Sequence, residues 1–328
     1  MQAVLAPRYS LVIPVYRNSE NIVDLLQACR GLHADLDGQL ETIFVVDGSP
    51  DDSYAQLYSR LPASGLRAQL ISLSRNFGSF AAIREGLLQA RGQYVAVMAA
   101  DLQEPPELVL EFFERLQSGE GDIAFGLRQS REDPLLSKLF STAFWWVYRR
   151  FVQPEVPVGG VDVFALNRPF LERVIGFSEA NSSLLGLLFW MGGRRILVPY
   201  SRRERVHGKS AWTFRKKFTY LLDSIFAFTD APIRLLLATG ILGLVLAGVL
   251  GLAVLGARLL GEIDVPGYTV TMLTVVFFGG LNALGLGVVG NYAWRAYENT
   301  KQRPLSIPIL LDRFGEPANT PSGEPTLQ

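Results

Sequence analysis

Two uncharged stretches near the carboxyl-terminal end constrain this 328-residue chain more than any other feature. Leu235–Ala257, LLLATGILGLVLAGVLGLAVLGA, has no charged side chain over 23 residues, and Val265–Trp294 is a second uncharged run. A helix of roughly 20 apolar residues crosses about 30 Å of hydrocarbon with its backbone hydrogen bonds satisfied internally, so both runs read as transmembrane helices. A buried hairpin in a soluble protein is the alternative. Arg258, Glu262 and Asp264 in the short linker between the runs disfavour it. Arg234 precedes the first run, and Arg295, Lys301 and Arg303 follow the second, which places both termini on the cytoplasmic side. Gly243, Ala247 and Gly251 share one helix face, and Ala283 and Gly287 share another, which permits close packing. No signal-peptide pattern precedes Tyr9, so the large amino-terminal region is expected to remain cytoplasmic.

Charge is balanced overall, 31 basic against 31 acidic residues, and nothing in that total calls for nucleic acid. Its distribution is uneven. Arg194 to Lys217 contains nine Lys or Arg and one acid, Glu204, immediately before the first apolar run. Such a block meets anionic lipid heads or a phosphate-bearing substrate. The single cysteine, Cys29, excludes an internal disulfide and a cysteine-cluster metal site and reads as a small core residue.

The remainder alternates. Tyr9–Val15, Glu41–Asp47, Ala68–Leu73, Tyr94–Ala100 and Asp122–Leu127 are apolar runs of strand length. Helix-period segments lie between them near Glu20–Ala34, Ser53–Leu61, Phe77–Ala90 and Pro106–Gln117. This order predicts an α/β fold, a mostly parallel Rossmann-like sheet covered on both faces. Polar, turn-forming residues follow four successive strands: YRNSEN, DGSPDDS, SRNFGS and DLQEPPE. Ligands of such sheets bind outside the carboxyl ends of the strands, so these segments share one crevice. A dinucleotide fingerprint and a phosphate-binding P-loop are both missing from the sequence.

Together with the two apolar runs, the segments VIPVYRNSEN, VVDGSPDDS, LSRNFGSFAAIREGLLQARG, ADLQEPPEL, GLRQSRED and RVHGKSAWTFRKK resemble the family 2 glycosyltransferases of GT-A fold. The polyprenyl-phosphate branch, which includes dolichyl-phosphate mannose synthase and enzymes that charge undecaprenyl phosphate, is the nearer likeness. The resemblance covers Tyr9 to about Ile309. It implies an inner-membrane enzyme that moves a sugar from a nucleotide-sugar donor, uridine favoured over guanosine, to polyprenyl phosphate, with Mg²⁺ or Mn²⁺ as cofactor. Homo-oligomers are compatible with it.

The resemblance also implies residue roles. Asp101 and Gln103 would hold the metal against the donor diphosphate, since such ions need only one or two protein oxygens. Pro14, Tyr16, Glu20, Asp47, Arg75, Asn76 and Gly78 would line the donor site. Arg128, Arg131, Lys138, Ser141 and Ser210 would meet the acceptor phosphate, and Arg205 and Lys209, near His207, would close on both phosphates. Asp162 would orient the sugar or, for a hydroxyl acceptor, act as base. Ala99 and Val46 stand where relatives often carry acids, and Ala211–Trp212 replaces part of a usual S-K-Y.

The organisation expected is a catalytic domain over 1–210, an interfacial amphipathic helix over 211–234, a transmembrane hairpin over 235–294 and a partly disordered tail over 295–328. Ser137–Phe151 reads as a second interfacial helix or an ordinary core helix. Two other functions stay open: transfer to a hydroxyl acceptor, and a silent membrane scaffold that binds nucleotide sugars.

Overall fold

The computed structural model describes residues 6–128, 146, 148–150, 153–157, 161, 163–179, 182–203, 214–260 and 267–315. The first half is the expected alternation: β1 (Tyr9–Val15), α1 (Ile22–Asp35), β2 (Leu40–Val46), α2 (Ser53–Arg60), β3 (Arg67–Leu73), α3 (Ser79–Gln89), β4 (Tyr94–Val97), α4 (Glu107–Gln117) and β5 (Ile123–Arg128). Then come β6 (Phe164–Asn167), α5 (Arg168–Ile175), α6 (Leu184–Trp190), β7 (Arg195–Tyr200), α7 (Phe214–Phe228), α8 (Ala231–Leu259), α9 (Tyr268–Thr300) and β8 (Pro308–Phe314).

The strand order is β7-β5-β6-β4-β1-β2-β3-β8. β1 pairs in parallel with both β2 and β4, and β2 with β3; β6 and β8 are antiparallel to their neighbours. The chain winds from β1 outward through β2 and β3, then returns to place β4 on the other side of β1. That reversal opens a crevice between the carboxyl ends of β1 and β4. Alternate residues feed two cores: Leu11, Ile13, Phe44 and Phe112 on one face, Val12, Ile43, Phe125 and Phe164 on the other, all with no exposure or nearly none. Burial on both faces is why these strands read as unbroken apolar runs, and each such side chain contributes about 1.5–3 kcal/mol.

Several expectations change. β4 ends at Val97 rather than Ala100, and the carboxyl-terminal tail is structured at its start: Leu310–Phe314 belong to β8 rather than to a disordered segment. The interfacial helix stops at Phe228, so Ala231–Arg234 open the following long helix, with Asp230 bonded to Arg234 at 2.8 Å across its first turn. Among the described residues, one segment, Ala231–Ala253, is both long and apolar enough to cross a membrane. The second expected span forms α9, a 33-residue helix. Gly243 lies against Phe278 of α9, as close packing requires, whereas Gly251 and Gly287 face open space. Cys29 is buried as expected, and burial pushes its thiol up to about 12 despite a hydrogen bond with Thr42.

Candidate active site

Four loops meet at the crevice end of the sheet, and the first two are laced together by side chains. The Arg17 N–H donates to Ser49 Oγ (2.8 Å), the Asn18 N–H to Ser53 Oγ (3.2 Å) and the Ser19 N–H to Asp51 Oδ2 (3.0 Å). Asn18 Oδ1 accepts from the Tyr16 N–H at 3.1 Å, and Arg17 takes a positive φ of 55° to make the turn. Asp51 Oδ1 accepts from Ser49 Oγ at 2.6 Å and from the Ser53 N–H at 3.2 Å. Burial opposes the charge on Asp51, but the hydrogen bonds from Ser49, Ser53 and Ser19 outweigh it and hold the carboxyl at about 2. Pro14 and Tyr16 are half-buried beside this turn and Glu20 is exposed on it.

Asp47, the residue directly after β2, is almost fully buried. Its two carboxylate oxygens accept the Phe77 and Gly78 N–H groups at 2.7 and 2.9 Å, and its carbonyl accepts from Asn76 Nδ2 at 3.3 Å. Asp47 therefore acts first on the protein itself, fastening the loop after β3 to the end of β2. Desolvation raises its pKa, against the opposing pull of the two N–H groups and Arg75. Asn76 serves this bridge and does not cap α3; Gly78 is the capping residue, at φ 99°. Arg75 is exposed, its guanidinium 4.0 Å over the Phe77 ring.

Gly48 accounts for the D-G-S spelling. It sits at φ +53°, and a Cβ there would lie 2.2 Å from the Arg75 carbonyl carbon. Gly48→Ala is expected to cost about 2–4 kcal/mol from the clash and the left-handed backbone combined. Thermal unfolding checks this. A variant melting within about 2 °C of the parent would contradict the close approach.

The fourth loop carries Asp101, half-exposed just past β4. Its Oδ1 accepts from the Gln103 N–H at 3.4 Å, with Leu102 between them at φ 52°. Gln103 and Glu104 are gripped from β7's far end. Arg202 Nη2 donates to Gln103 Oε1 at 2.6 Å, Arg202 Nε lies 3.9 Å from Glu104 Oε1, and the Arg203 N–H donates to Gln103 O at 2.9 Å. This clamp was missed in the sequence, where Arg202 and Arg203 were only part of a basic block. The signal available was Glu104, an acid beside an apolar helix start: a buried carboxylate needs a cation.

Among the described residues no group of three or more His, Cys, Asp or Glu side chains could hold a metal. A hard ion that takes most of its ligands from phosphate and water needs only one or two carboxylates. The half-exposed Asp101 fits that minimal set. Gln103, expected beside it, presents its Oε1 to Arg202 instead. Arg128, at the end of β5, is half-buried, and its Nε is buried without a hydrogen-bond partner among the described residues. Arg131, Lys138, Ser141, Asp162, Arg205, His207, Lys209 and Ser210 lie outside the described residues.

The acid response of the fold follows from three carboxyls. Asp122 is held at about 2 chiefly by Arg194, whose N–H and Nη2 lie 3.0 Å from its oxygens, and Asp51 is held at the same level. Both folded values lie below the unfolded carboxyl, so their stabilisation is present above pH about 4 and is lost as pH falls towards about 2. Asp47 has the opposite sign: its contribution is complete below its ordinary value and lost as pH rises through its raised one. Stability measured by chemical denaturation should fall steeply between pH about 4 and 2, and Asp51→Asn should make that limb shallower. An unchanged slope would remove Asp51 from the account.

A doubly covered sheet with interlocked loops over the β1/β4 reversal, and cations reaching into the acidic loop, is a GT-A-like α/β enzyme fold. The chain belongs to glycosyl transferase family 2, whose family model matches residues 10–174. It is 34% identical to the putative glycosyltransferase CsbB of Bacillus subtilis, over 90% of this chain and 89% of that protein. To the bactoprenol glucosyl transferase of Shigella phage SfV it is 29% identical, over 92% of this chain and 97% of that one. The mannosyltransferase PcManGT of Pyrobaculum calidifontis, solved with GDP-Man and Mn²⁺, shares 18% identity over 90% of this chain and 85% of its own, at a TM-score of 0.46. The protein is a glycosyltransferase.

Proposed function

We propose that the enzyme moves a sugar from a nucleotide-sugar donor, a UDP-sugar before a GDP-sugar, to polyprenyl phosphate at the cytoplasmic face of the inner membrane. The observation that carries this reading is the clamp of Arg202 and Arg203 onto the Asp101–Glu104 loop. It draws the start of the basic segment to Asp101, a half-exposed carboxylate suited to a metal-bound diphosphate. The bactoprenol glucosyl transferase among the relatives supports the lipid acceptor.

A polyprenyl phosphate is already anionic near neutral pH. Its oxygen attacks the anomeric carbon, the bond from that carbon to the diphosphate oxygen breaks, and the electron pair leaves on the nucleoside diphosphate, inverting the centre without a strong base. Mg²⁺ or Mn²⁺ held by Asp101 would supply charge neutralisation at the leaving diphosphate. Arg128, Arg131, Lys138, Ser141 and Ser210 are assigned to the acceptor phosphate, Arg205 and Lys209 to both phosphates, and Asp162 to the sugar. Arg128 has a buried Nε–H that is unpartnered among the described residues.

In the same proposal α8 and α9 form the transmembrane hairpin and α7 lies in the interface. Arg295 bonds Asp223 of α7 at 2.6 Å, and Tyr292 donates to the Thr229 carbonyl at 3.2 Å, so the interfacial helix is docked to the membrane helix. Trp294 and Tyr297, with Lys301 4.9 and 4.3 Å over their rings, make an interfacial belt at the cytoplasmic end of α9.

The test is transfer of radiolabel from a panel of nucleotide sugars to undecaprenyl phosphate in detergent with Mg²⁺ or Mn²⁺, followed by organic extraction. Label in the organic phase is expected. Label only in water-soluble product would favour the hydroxyl acceptor, and nucleotide binding without any transfer would favour the scaffold.

A further inference from the structure

After the last long helix the chain re-enters the catalytic sheet. β8 pairs antiparallel with β3, Pro308 opposite Leu73 and Phe314 opposite Ala68, so β8 starts at the crevice end of β3. There the Ser74 N–H donates to the Ile307 carbonyl at 2.9 Å, and Ser306 Oγ donates to Glu85 Oε2 at 2.7 Å. Ser306 and Glu85 are 8% and 5% exposed. Glu85 belongs to α3, and Ser74 opens the loop whose Phe77 and Gly78 N–H groups hold Asp47. The loop is thus tied at its start, Ser74, and the helix that follows it is tied at Glu85, in its second turn, to two consecutive residues of the segment that follows α9.

An edge strand that merely covered the sheet would bury its apolar side chains. β8 does not: Ile309, Leu310 and Leu311 remain 59%, 48% and 41% exposed. Phe314, at the far end of β8, packs partly buried against the core and Tyr58, whereas at the crevice end the buried side chain is Ser306, just before the strand. We propose that Ser306 is a positioning residue: with the Ile307 carbonyl it sets the Ser74–Gly78 loop, so that the segment following α9 completes the donor side of the active site. The link to donor binding rests on the function proposed above. The link to loop order does not.

The test uses the full-length protein in detergent with Ser306→Ala, the conservative Ser306→Thr, and Tyr54→Phe, which removes a side-chain bond to β8 itself, from Tyr54 to Asp312 at 2.7 Å. Hydrogen exchange without nucleotide is expected to speed up across residues 74–82 in Ser306→Ala alone. The donor KM should rise about fivefold in that variant with kcat within about twofold, and Ser306→Thr should restore both readouts. Tyr54→Phe should lower the melting temperature and leave exchange at 74–82 and the KM unchanged. Ser306→Ala behaving like Tyr54→Phe, a lower melting temperature with the loop's exchange unaltered, would overturn the proposal. A parent enzyme that makes no lipid product would sink the functional reading while the exchange result still decides this one.

Discussion

Asp101→Ala should reduce sugar transfer to lipid by about 1,000-fold or more while leaving the melting temperature within a few degrees of the parent. The side chain is half-exposed, so its removal leaves no buried cavity, and its loop remains gripped through Gln103 and Glu104. The effect is large because nothing replaces it. Ala99, two residues before it, brings no second acid and Glu104 is buried, so the loop after β4 has a single half-exposed carboxylate for a divalent ion. Asp101→Asn separates charge from shape: it can still accept from the Gln103 N–H but cannot neutralise a cation, and it should be nearly as inactive. Radiolabel partition into organic solvent measures both variants. Residual transfer within tenfold of the parent would overturn the assignment of the metal to Asp101.

Glu41→Ala should destabilise the catalytic domain by about 3–5 kcal/mol without a matching effect on the site. Glu41 is fully buried at the opposite end of the sheet. One carboxylate oxygen accepts from Ser10 Oγ and the Arg91 N–H, both at 2.6 Å. The other accepts from Arg91 Nε at 2.9 Å and from Gln69 Nε2 at 3.3 Å. Ser10 in turn accepts from the Gly92 N–H at 2.8 Å, so β1, β2, β3 and the entry to β4 share one polar knot. Removing the carboxylate takes the acceptor from Ser10 Oγ, the Arg91 N–H and the Arg91 guanidinium, while Gln69 Nε2 keeps the Gln89 carbonyl at 3.2 Å, and this costs more than the ion pair contributes net. Glu41→Gln should recover only part of the loss, because its amide group turns a donor towards Arg91. Denaturant midpoints should fall accordingly, and the folded fraction should keep its KM for donor. A loss below about 1 kcal/mol would mean that water or a rearranged Arg91 satisfies the knot.

Periodicity made most of the sheet legible. β1 spans the residues read as apolar, β3 differs by one residue at one end, and β2 and β5 by one residue at each end, because burial on both faces leaves little room for polar side chains inside a central strand. β6, β7 and β8 were not read. β6 is four residues long, β7 alternates buried and exposed positions at an edge, and β8 leaves its apolar residues in the open. None of the three gives the continuous run that marks a central strand.

The amino-acid sequence by itself determined the family, the order of the central strands and the four polar loops, since each depends on local spacing and on residue types that tolerate few substitutes. Only the tertiary structure decided how those loops are used. Asp47 faces the backbone of a loop 30 residues away, Gln103 faces an arginine 99 residues away, and Ser306 faces a glutamate 221 residues away. Such pairings come from which strands lie side by side and where the chain re-enters the sheet. A hydrogen bond between distant segments leaves no period in the chain, and an acid reads the same whether its partner is a ligand or the protein's own backbone.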